Sequence, residues 1–594
     1  MAIDHQQLEE ELAQRKLDRR LFLRLWAFTG PYRGRYCGNI VLALLATVSA
    51  LLGPKIIQWI IDHPITEGNV HGVLVGSVAF LANLLFGWLL TIVQTRSVTY
   101  LGERVTTDIR GAIFRHIQRL SMNYFDRVKA GRIMARADTD VDALNWFVSW
   151  GGSTLLTALL TLVGALYFMF QYDTRLCLAT AVIIPPLFMA SRIYQAKAWK
   201  AYRKTRESYS RVMAALAENI SGVRVVQAFG REDENLEQFQ EIHTEHNVNS
   251  VAAAQVWSIY YPFIGMMSAV GTFIIMGYGG MLVMGHEIQL GELTAFLLYL
   301  RMFFGPIDTM GDIYNNTLST AASAERIFQL FDTEPAVRDH TDAKDVPPVR
   351  GRVEFDRVWL RYDSTPPNEW VLQNIHFAAE PGQTIAFVGK TGAGKSSIVN
   401  LIPRFYEPQR GRILVDGLDI SQVTLESLHR QMGIVSQDNF LFTGTVMDNI
   451  KYGRPDATDD EVIAACRTLG CYDILMRLEK GFATKVGERG ANLSQGERQL
   501  ICIARGLVAD PRILILDEAT SSVDTQTETV IQQALEKLFH KRTTFVVAHR
   551  LSTVRNATKI IVLKDGKMAE SGTHYELLLL GGLYAEMYRE FVRG

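Results

Sequence analysis

Six runs of this chain come close to or exceed the length of about 20 mainly apolar residues that a helix needs to cross a lipid bilayer. They lie at 37–61, 72–95, 146–170, 176–191, 252–284 and 290–310. Their number and length argue against helices buried in a soluble protein. The fourth is the shortest and contains "IIPP". Proline is tolerated at such depth because neighbouring helices satisfy the freed backbone groups. Beyond residue 345 the pattern changes to that of a soluble α/β domain.

The connections between the runs differ in charge. "DHPITEGNVH", "QYDTR" and "GHEIQ" are short and hold one Lys or Arg among them, Arg175. The connections 96–145 and 192–251 are long and basic, as in "RGAIFRHIQRL" and "KAWKAYRKTRESYSR". The positive-inside tendency therefore puts the long connections, both termini and the soluble half in the cytoplasm. Helical spacing in these stretches predicts that the membrane helices continue well beyond the bilayer. "RRLFLRLWAF" reads as an amphipathic helix on the membrane surface. Two charges fall within or near the apolar runs. Lys55 is placed to snorkel outward, whereas Arg301 lies deeper and either lines a transport path, serves a structural ion pair or snorkels.

Composition narrows the partners. The chain has 61 Lys and Arg against 62 Asp and Glu, so no nucleic acid is expected. Five cysteines form no repeated CxxC pattern, which disfavours a disulfide framework or a zinc site; Cys466 and Cys471 read as buried helix residues. The N-terminal "MAIDHQQLEEELAQRKLDRR" has no apolar core and is not expected to be a signal or transit peptide.

In the soluble half, "GKTGAGKSS" follows the apolar strand "TIAFV" and opens a helix, which is the setting of a phosphate-binding loop. Gly389, Lys390, Thr391, Gly392, Ala393, Gly394 and Ser397 belong to this loop and would surround phosphates with backbone N–H groups. Lys395 would reach the β and γ oxygens and the Ser396 hydroxyl would hold Mg²⁺. "ILILDEATSSVD" reads as a buried parallel strand ending in Asp517 and Glu518, one suited to Mg²⁺ and the other to taking a proton from water. "LSQGE", at Leu493–Glu497, stands at the mouth of a helix carrying Leu500, Ile503, Leu507 and Val508 on one face. It is either a capping box from Ser494 to Glu497 or an anion site on the helix dipole.

Together with "VSQDN" and "VVAHRLST", these motifs resemble, in type and order, the ATP-binding cassette superfamily. Six crossings followed by one cassette resemble a half-size exporter of the multidrug and lipid type, and the likeness spans essentially the whole chain. The resemblance implies that Tyr362 stacks on adenine, that Gln437 reaches Mg²⁺ and the attacking water, and that Asp517 is a Mg²⁺ partner. It also implies that Glu518 is the general base, His549 a switch on the γ-phosphate, and Asp524 a link across a dimer. Ser494, Gln495, Gly496 and Glu497 match the signature that binds ATP held by the phosphate loop of a second half-transporter.

Gln495 stands where the family form LSGGQ has its first Gly, and Glu497 where it has Gln. Gln495 needs a path away from nucleotide, and Glu497 brings negative charge near a triphosphate. With the base kept and the signature altered, an identical and a homologous partner chain both remain open. Lys485 stands in place of the usual Glu in "TKVGERG". "MNYFDRVKAGRIMARADTDVDAL" and "ENISGVRVVQAFGREDENLEQF" resemble the two coupling segments.

The expected fold is multi-domain: an all-α polytopic membrane domain followed by an α/β P-loop ATPase. Its parts are an N-terminal segment 1–36, a transmembrane domain 37–325, a linker 326–350 and a cassette 351–594. The expected function is ATP-driven export of an amphiphilic small molecule, lipid or peptide across the inner (plasma) membrane. An ATP-gated channel or regulatory membrane ATPase is the alternative. Import, soluble nucleotide-dependent mechanics and a built-in leader peptidase are not expected, the last because only 36 residues precede the first crossing. Trp257, Tyr260 and Tyr261 could line an amphiphile cavity or belong to the core or an interface belt.

Overall fold

The computed structural model describes residues 19–363, 365–366, 369–517, 525–548 and 551–593. By internal contacts the chain divides into two units. One joins the residues up to Phe114 with Met134–Phe331; the other joins Arg115–Ile133 with Asp332–Gly594.

The first unit is helical. In chain order the helices are α1 (Arg19–Phe28), α2 (Arg33–Ile60), α3 (Val70–Ile117), α4 (Met122–Arg127), α5 (Ala130–Ala137), α6 (Thr139–Trp146) and α7 (Gly152–Tyr172), of which α4, the end of α3 and the start of α5 belong to the second unit. They continue as α8 (Thr174–Ala181), α9 (Ile184–Ser221), α10 (Val223–Phe229), α11 (Glu232–Ile274), α12 (Gly280–Met284) and α13 (Leu290–Phe331). Among the described residues six helical stretches, the expected number, are long and apolar enough to cross a membrane. The charged connections prolong them as anticipated: α3 runs for 48 residues, α9 for 38 and α11 for 43. In the fourth stretch the helix breaks at Val182–Ile183 and resumes with Pro185 and Pro186 in the first turn of α9. There the missing N–H groups would have had no intrahelical acceptor.

α13 forms the centre of this unit. Phe296, Tyr299 and Leu300 are buried, Phe168 stacks on Tyr299 at 5.0 Å, and the Tyr299 hydroxyl donates to the Leu51 carbonyl at 2.7 Å. Near its end, Arg326 grips the buried Asp140 through Nε and Nη2, and the Ser323 hydroxyl donates to the same carboxylate. Leu81, Leu84, Leu85 and Trp88 stay exposed along α3, as a lipid-facing surface requires. Lys55 lies over the Tyr172 ring at 4.9 Å, while Arg301 is exposed and points away from the buried face of α13. α9 and α11 pair along their length, through Arg211–Glu245 at 2.6 Å and the stacked rings of Tyr194 and Tyr260. Trp257 is half exposed beside Tyr261.

The second unit contains two main sheets. Its strands are β1 (Val353–Leu360), β2 (Leu372–Ala379), β3 (Thr384–Val388), β4 (Arg410–Val415), β5 (Leu418–Asp419) and β6 (Met432–Val435). They are followed by β7 (Gly444–Thr445), β8 (Lys485–Val486), β9 (Ile513–Asp517), β10 (Thr543–Val547), β11 (Lys559–Lys564) and β12 (Lys567–Gly572). One sheet has the order β2-β1-β4-β5 and is antiparallel; the other has the order β12-β11-β3-β10-β9-β6 and is parallel except at β12. The short apolar runs at β3, β9 and β10 are buried on both faces, which is why they show no alternation.

Candidate functional site

The parallel sheet sets the site by register. Phe387 in β3 pairs with Val547 at the end of β10, Val547 pairs with Asp517 at the end of β9, and Leu516 pairs with Val435 at the end of β6. The chain leaves all four strands at one level. The phosphate loop, Gln437, Asp517 and Ala548 therefore share the carboxyl edge, where open α/β sheets bind ligands.

Gly389–Gly394 wrap from β3 into the helix Lys395–Leu401. Gly394 has φ +98°, and a Cβ there would meet a Leu372 methyl at 2.6 Å, so only glycine fits this turn. Lys390 and Thr391 are exposed on the loop and Ala393 is buried beneath it. Lys395 is only 8 % exposed, and its ammonium donates to the Gly389 carbonyl at 2.7 Å and the Lys390 carbonyl at 3.1 Å. Burial draws its pKa down, while Asp517 pushes it up by charge attraction. A buried cation curled against its own loop is ready to exchange carbonyls for phosphate oxygens. Ser396 is exposed at the start of the helix. With Gln437 and Asp517 it offers only hard oxygen donors, a set that fits Mg²⁺. Gln437 is exposed in a tight turn closed by the Ser436 hydroxyl, which donates to the Asp438 carbonyl at 2.8 Å. Glu518, Asp524 and His549 lie outside the described residues.

Tyr362, expected to stack on adenine, has a half-buried ring. Its hydroxyl donates to Ser397 at 3.0 Å and its ring meets that of Tyr406 edge-on, with centroids 4.9 Å apart. Burial pushes its phenol up, opposed by the Ser397 contact. Tyr406 in turn donates to the Asp126 carboxylate at 2.7 Å. Asp363, next to Tyr362, accepts from Asn123 at 3.1 Å and pairs with Arg127. A chain of side chains thus runs from α4, in the first expected coupling segment, through two tyrosines to the phosphate-loop helix. Asp126 lies within the first expected coupling segment, but no motif marks Tyr406 or the bond between the two.

The signature stretch caps a helix, Gln495–Val508. The Ser494 hydroxyl accepts the Glu497 N–H at 3.2 Å and the Glu497 carboxylate accepts the Ser494 N–H at 2.7 Å, a complete capping box. Gly496 is buried and Gln495 half-buried. Arg498 donates to the Gly490 and Leu493 carbonyls and holds the incoming loop. Farther along this helix, Arg505 donates to the Phe440 carbonyl and to Asn449, which itself bridges Phe442 and Thr445. The segment after Gln437 is thereby tied to the signature helix, a link carried by Arg505 and Asn449 that no motif announced. The helix also buries more than the one predicted stripe: Ile501, Cys502 and Ala504 are enclosed too, while Leu507 is only half-buried. Lys485 is exposed in β8, which pairs with β7.

Comparison with known proteins identifies the family. A family profile described as ABC transporter transmembrane region matches residues 36–307, and one described as ABC transporter matches 372–521. The uncharacterized ABC transporter ATP-binding protein YknV of Bacillus subtilis is 37 % identical over 98 % of this chain and 96 % of its own length. A putative multidrug export ATP-binding/permease protein of Staphylococcus aureus is 34 % identical over 95 % of this chain and 99 % of its own length. The solved structure of a bacterial Atm1-family ABC exporter with ATP bound superposes with a TM-score of 0.77, at 29 % identity, covering 94 % of this chain and 98 % of that one. The chain belongs to the ATP-binding cassette exporters, with a transmembrane region and a cassette that hydrolyses ATP on one polypeptide.

Proposed function

We propose that the chain is one half of a dimeric exporter that moves an amphiphilic or hydrophobic molecule across the plasma membrane, with cassette and termini in the cytoplasm. The observation that carries the reading is the continuity from α4, through Asp126, Tyr406 and Tyr362, to Ser397 on the phosphate-loop helix. The basic long connections, which include α4, support the cytoplasmic placement.

In this reading Lys395 and the loop N–H groups hold the β and γ phosphates of ATP. Ser396, Gln437 and Asp517 would hold Mg²⁺, which when bound neutralises charge on the phosphoryl group. Glu518 accepts a proton from the attacking water, and His549 contacts the γ-phosphate. Ser494 and Gly496 present a helix start to ATP on the partner, and Asp524 links the two cassettes. Glu497, bonded to the Ser494 N–H, has an alternative to facing the triphosphate. That favours a working signature and therefore an identical partner chain.

The test uses the chain alone in nanodiscs, with oligomeric mass and ATP hydrolysis measured on native, Lys395→Ala and Glu518→Gln forms. A dimer that hydrolyses ATP, loses nucleotide affinity with Lys395→Ala and traps ATP with Glu518→Gln is expected. An inactive chain assigns a different partner. Flux of an amphiphile against its gradient in vesicles separates a pump from a channel, which only dissipates gradients.

A further inference from the structure

A cavity of about 310 Å³ lies within the membrane unit between α2, α3 and α7. Its walls are apolar, made by Ile40, Val98, Leu101 and Leu156 among others. Leu155 and Leu159 also line it and are each 42 % exposed, so the cavity reaches the surface of the unit there. Two serines contribute polar atoms that already have partners: Ser149 donates to Asn145 at 2.6 Å and Ser153 to the Trp150 carbonyl at 3.1 Å. Asn39 is different. It is 4 % exposed, lines the cavity, and neither its Oδ1 nor its Nδ2 has a hydrogen-bond partner among the described residues.

A buried amide with both ends unmatched is uncommon in native proteins and costs stability unless something supplies the missing bonds. A water placed there needs two to four polar partners, and a volume of this size takes several waters. Asn39, the Tyr36 phenol and the two serine hydroxyls can hold a water or two beside the amide, but the rest of the lining is apolar and offers no partners for water filling the volume. The volume is about twice that of an engineered apolar cavity that holds benzene. Among the described residues no ionisable group beyond the Tyr36 phenol lines it, so a charged ligand would go unpaired. Tyr36 stands against Gly152, where a Cβ would come within 2.5 Å of its hydroxyl, so the glycine leaves room for that hydroxyl beside the cavity.

The geometry points to an intramembrane binding site for a neutral amphiphile: an apolar body carrying one hydroxyl or carboxamide that both donates to and accepts from Asn39. Such a ligand comes either from the bilayer or from the pool of free hydrophobic small molecules. The inference needs only the folded membrane unit and does not depend on what the protein transports.

The experiment uses the full chain in phosphatidylcholine nanodiscs and a photoreactive diazirine analogue of 1-dodecanol, beside the matching dodecane analogue. Labelled peptides are mapped by mass spectrometry. The alcohol is expected to label α2 and α7 about 5–10-fold more than the alkane, the preference one matched polar group gives. Asn39→Leu should bring that ratio near one while keeping ATP hydrolysis and raising or preserving the melting temperature, since it removes an orphaned polar group. Gly152→Val, which crowds Tyr36, should reduce labelling by both probes. Competition by 1-monolaurin assigns the ligand to the bilayer, and competition by 2,6-diisopropylphenol assigns it to free small molecules. Equal labelling by the two probes in the native chain, an alcohol preference unchanged by Asn39→Leu, or labelling competed by neither compound overturns the site.

Discussion

Removing one hydroxyl, by Tyr406→Phe, tests the link between α4 and the cassette. The bond to Asp126 is 2.7 Å, a normal O–H···O length, and its acceptor is a carboxylate. Hydrogen bonds to charged groups contribute about 1.5–3 kcal/mol. Asp126 is exposed and keeps its water when the phenol goes, so solvent screening trims the loss to about 1–1.5 kcal/mol. Burial first, and Asp126 second, push the Tyr406 phenol well above its ordinary value, so it is a donor throughout the working pH range. The Asn123 and Arg127 contacts to Asp363 remain, and α4 should stay docked but open more often. Hydrogen exchange of the peptide covering 120–133 in the full chain should speed up about 5–13-fold, the factor that 1–1.5 kcal/mol implies. ATP hydrolysis should continue while its response to a transported amphiphile falls. Asp126→Asn should give a smaller change, and the double variant should be less than additive. Unchanged exchange, or strictly additive effects, would refute the proposed link.

Other expectations follow from the same geometry. Glu497→Ala removes half of the capping box and should lower the stability of the cassette by about 0.5–1 kcal/mol, whereas Glu497→Gln keeps an acceptor and should melt like the native chain; equal melting of the two variants would contradict the clasp. Arg326→Met strands the buried Asp140 carboxylate and should cost about 3–5 kcal/mol. Adding Asp140→Leu should recover most of that loss, as read by thermal unfolding in nanodiscs. The buried His574 imidazole lies below its ordinary pKa, through burial and then Arg555. The unfolded chain therefore takes up a proton near pH 6.5 that the folded chain refuses until lower pH, so stability should fall as pH drops below about 6.5. His574→Gln should flatten that decline between pH 7.5 and 5.5.

Much of this could be read before any coordinates, for physical reasons. Six membrane helices are legible because a bilayer demands an apolar run of fixed length. The phosphate loop and Asp517 are legible at strand ends because each follows a short apolar strand, whereas Gln437 enters through the resemblance alone. The capping box showed in its spacing, although spacing alone left it undecided between cap and anion site. The Tyr406–Asp126 bond was not legible, since its partners stand 280 positions apart and neither is unusual in its local setting. Asn39 was equally silent: one asparagine in an apolar run gives no sign of whether its amide finds a partner. Contacts also group residues 115–133 with the cassette, where the sequence reading counts them within the membrane stretch 37–325.

The clasp between Ser494 and Glu497, with Arg498 pinning the loop before it, has a thermodynamic consequence. A loop that orders only when its ligand arrives spends part of the contact energy on lost conformational entropy. Here the helix start is already held in shape within a single chain, by bonds that need neither nucleotide nor partner. In the proposed dimer, less of the free energy of cassette closure would then go into ordering this surface, and more would remain for moving the membrane helices. The Gln-to-Glu exchange preserves that preorganisation, because either side chain can accept the Ser494 N–H.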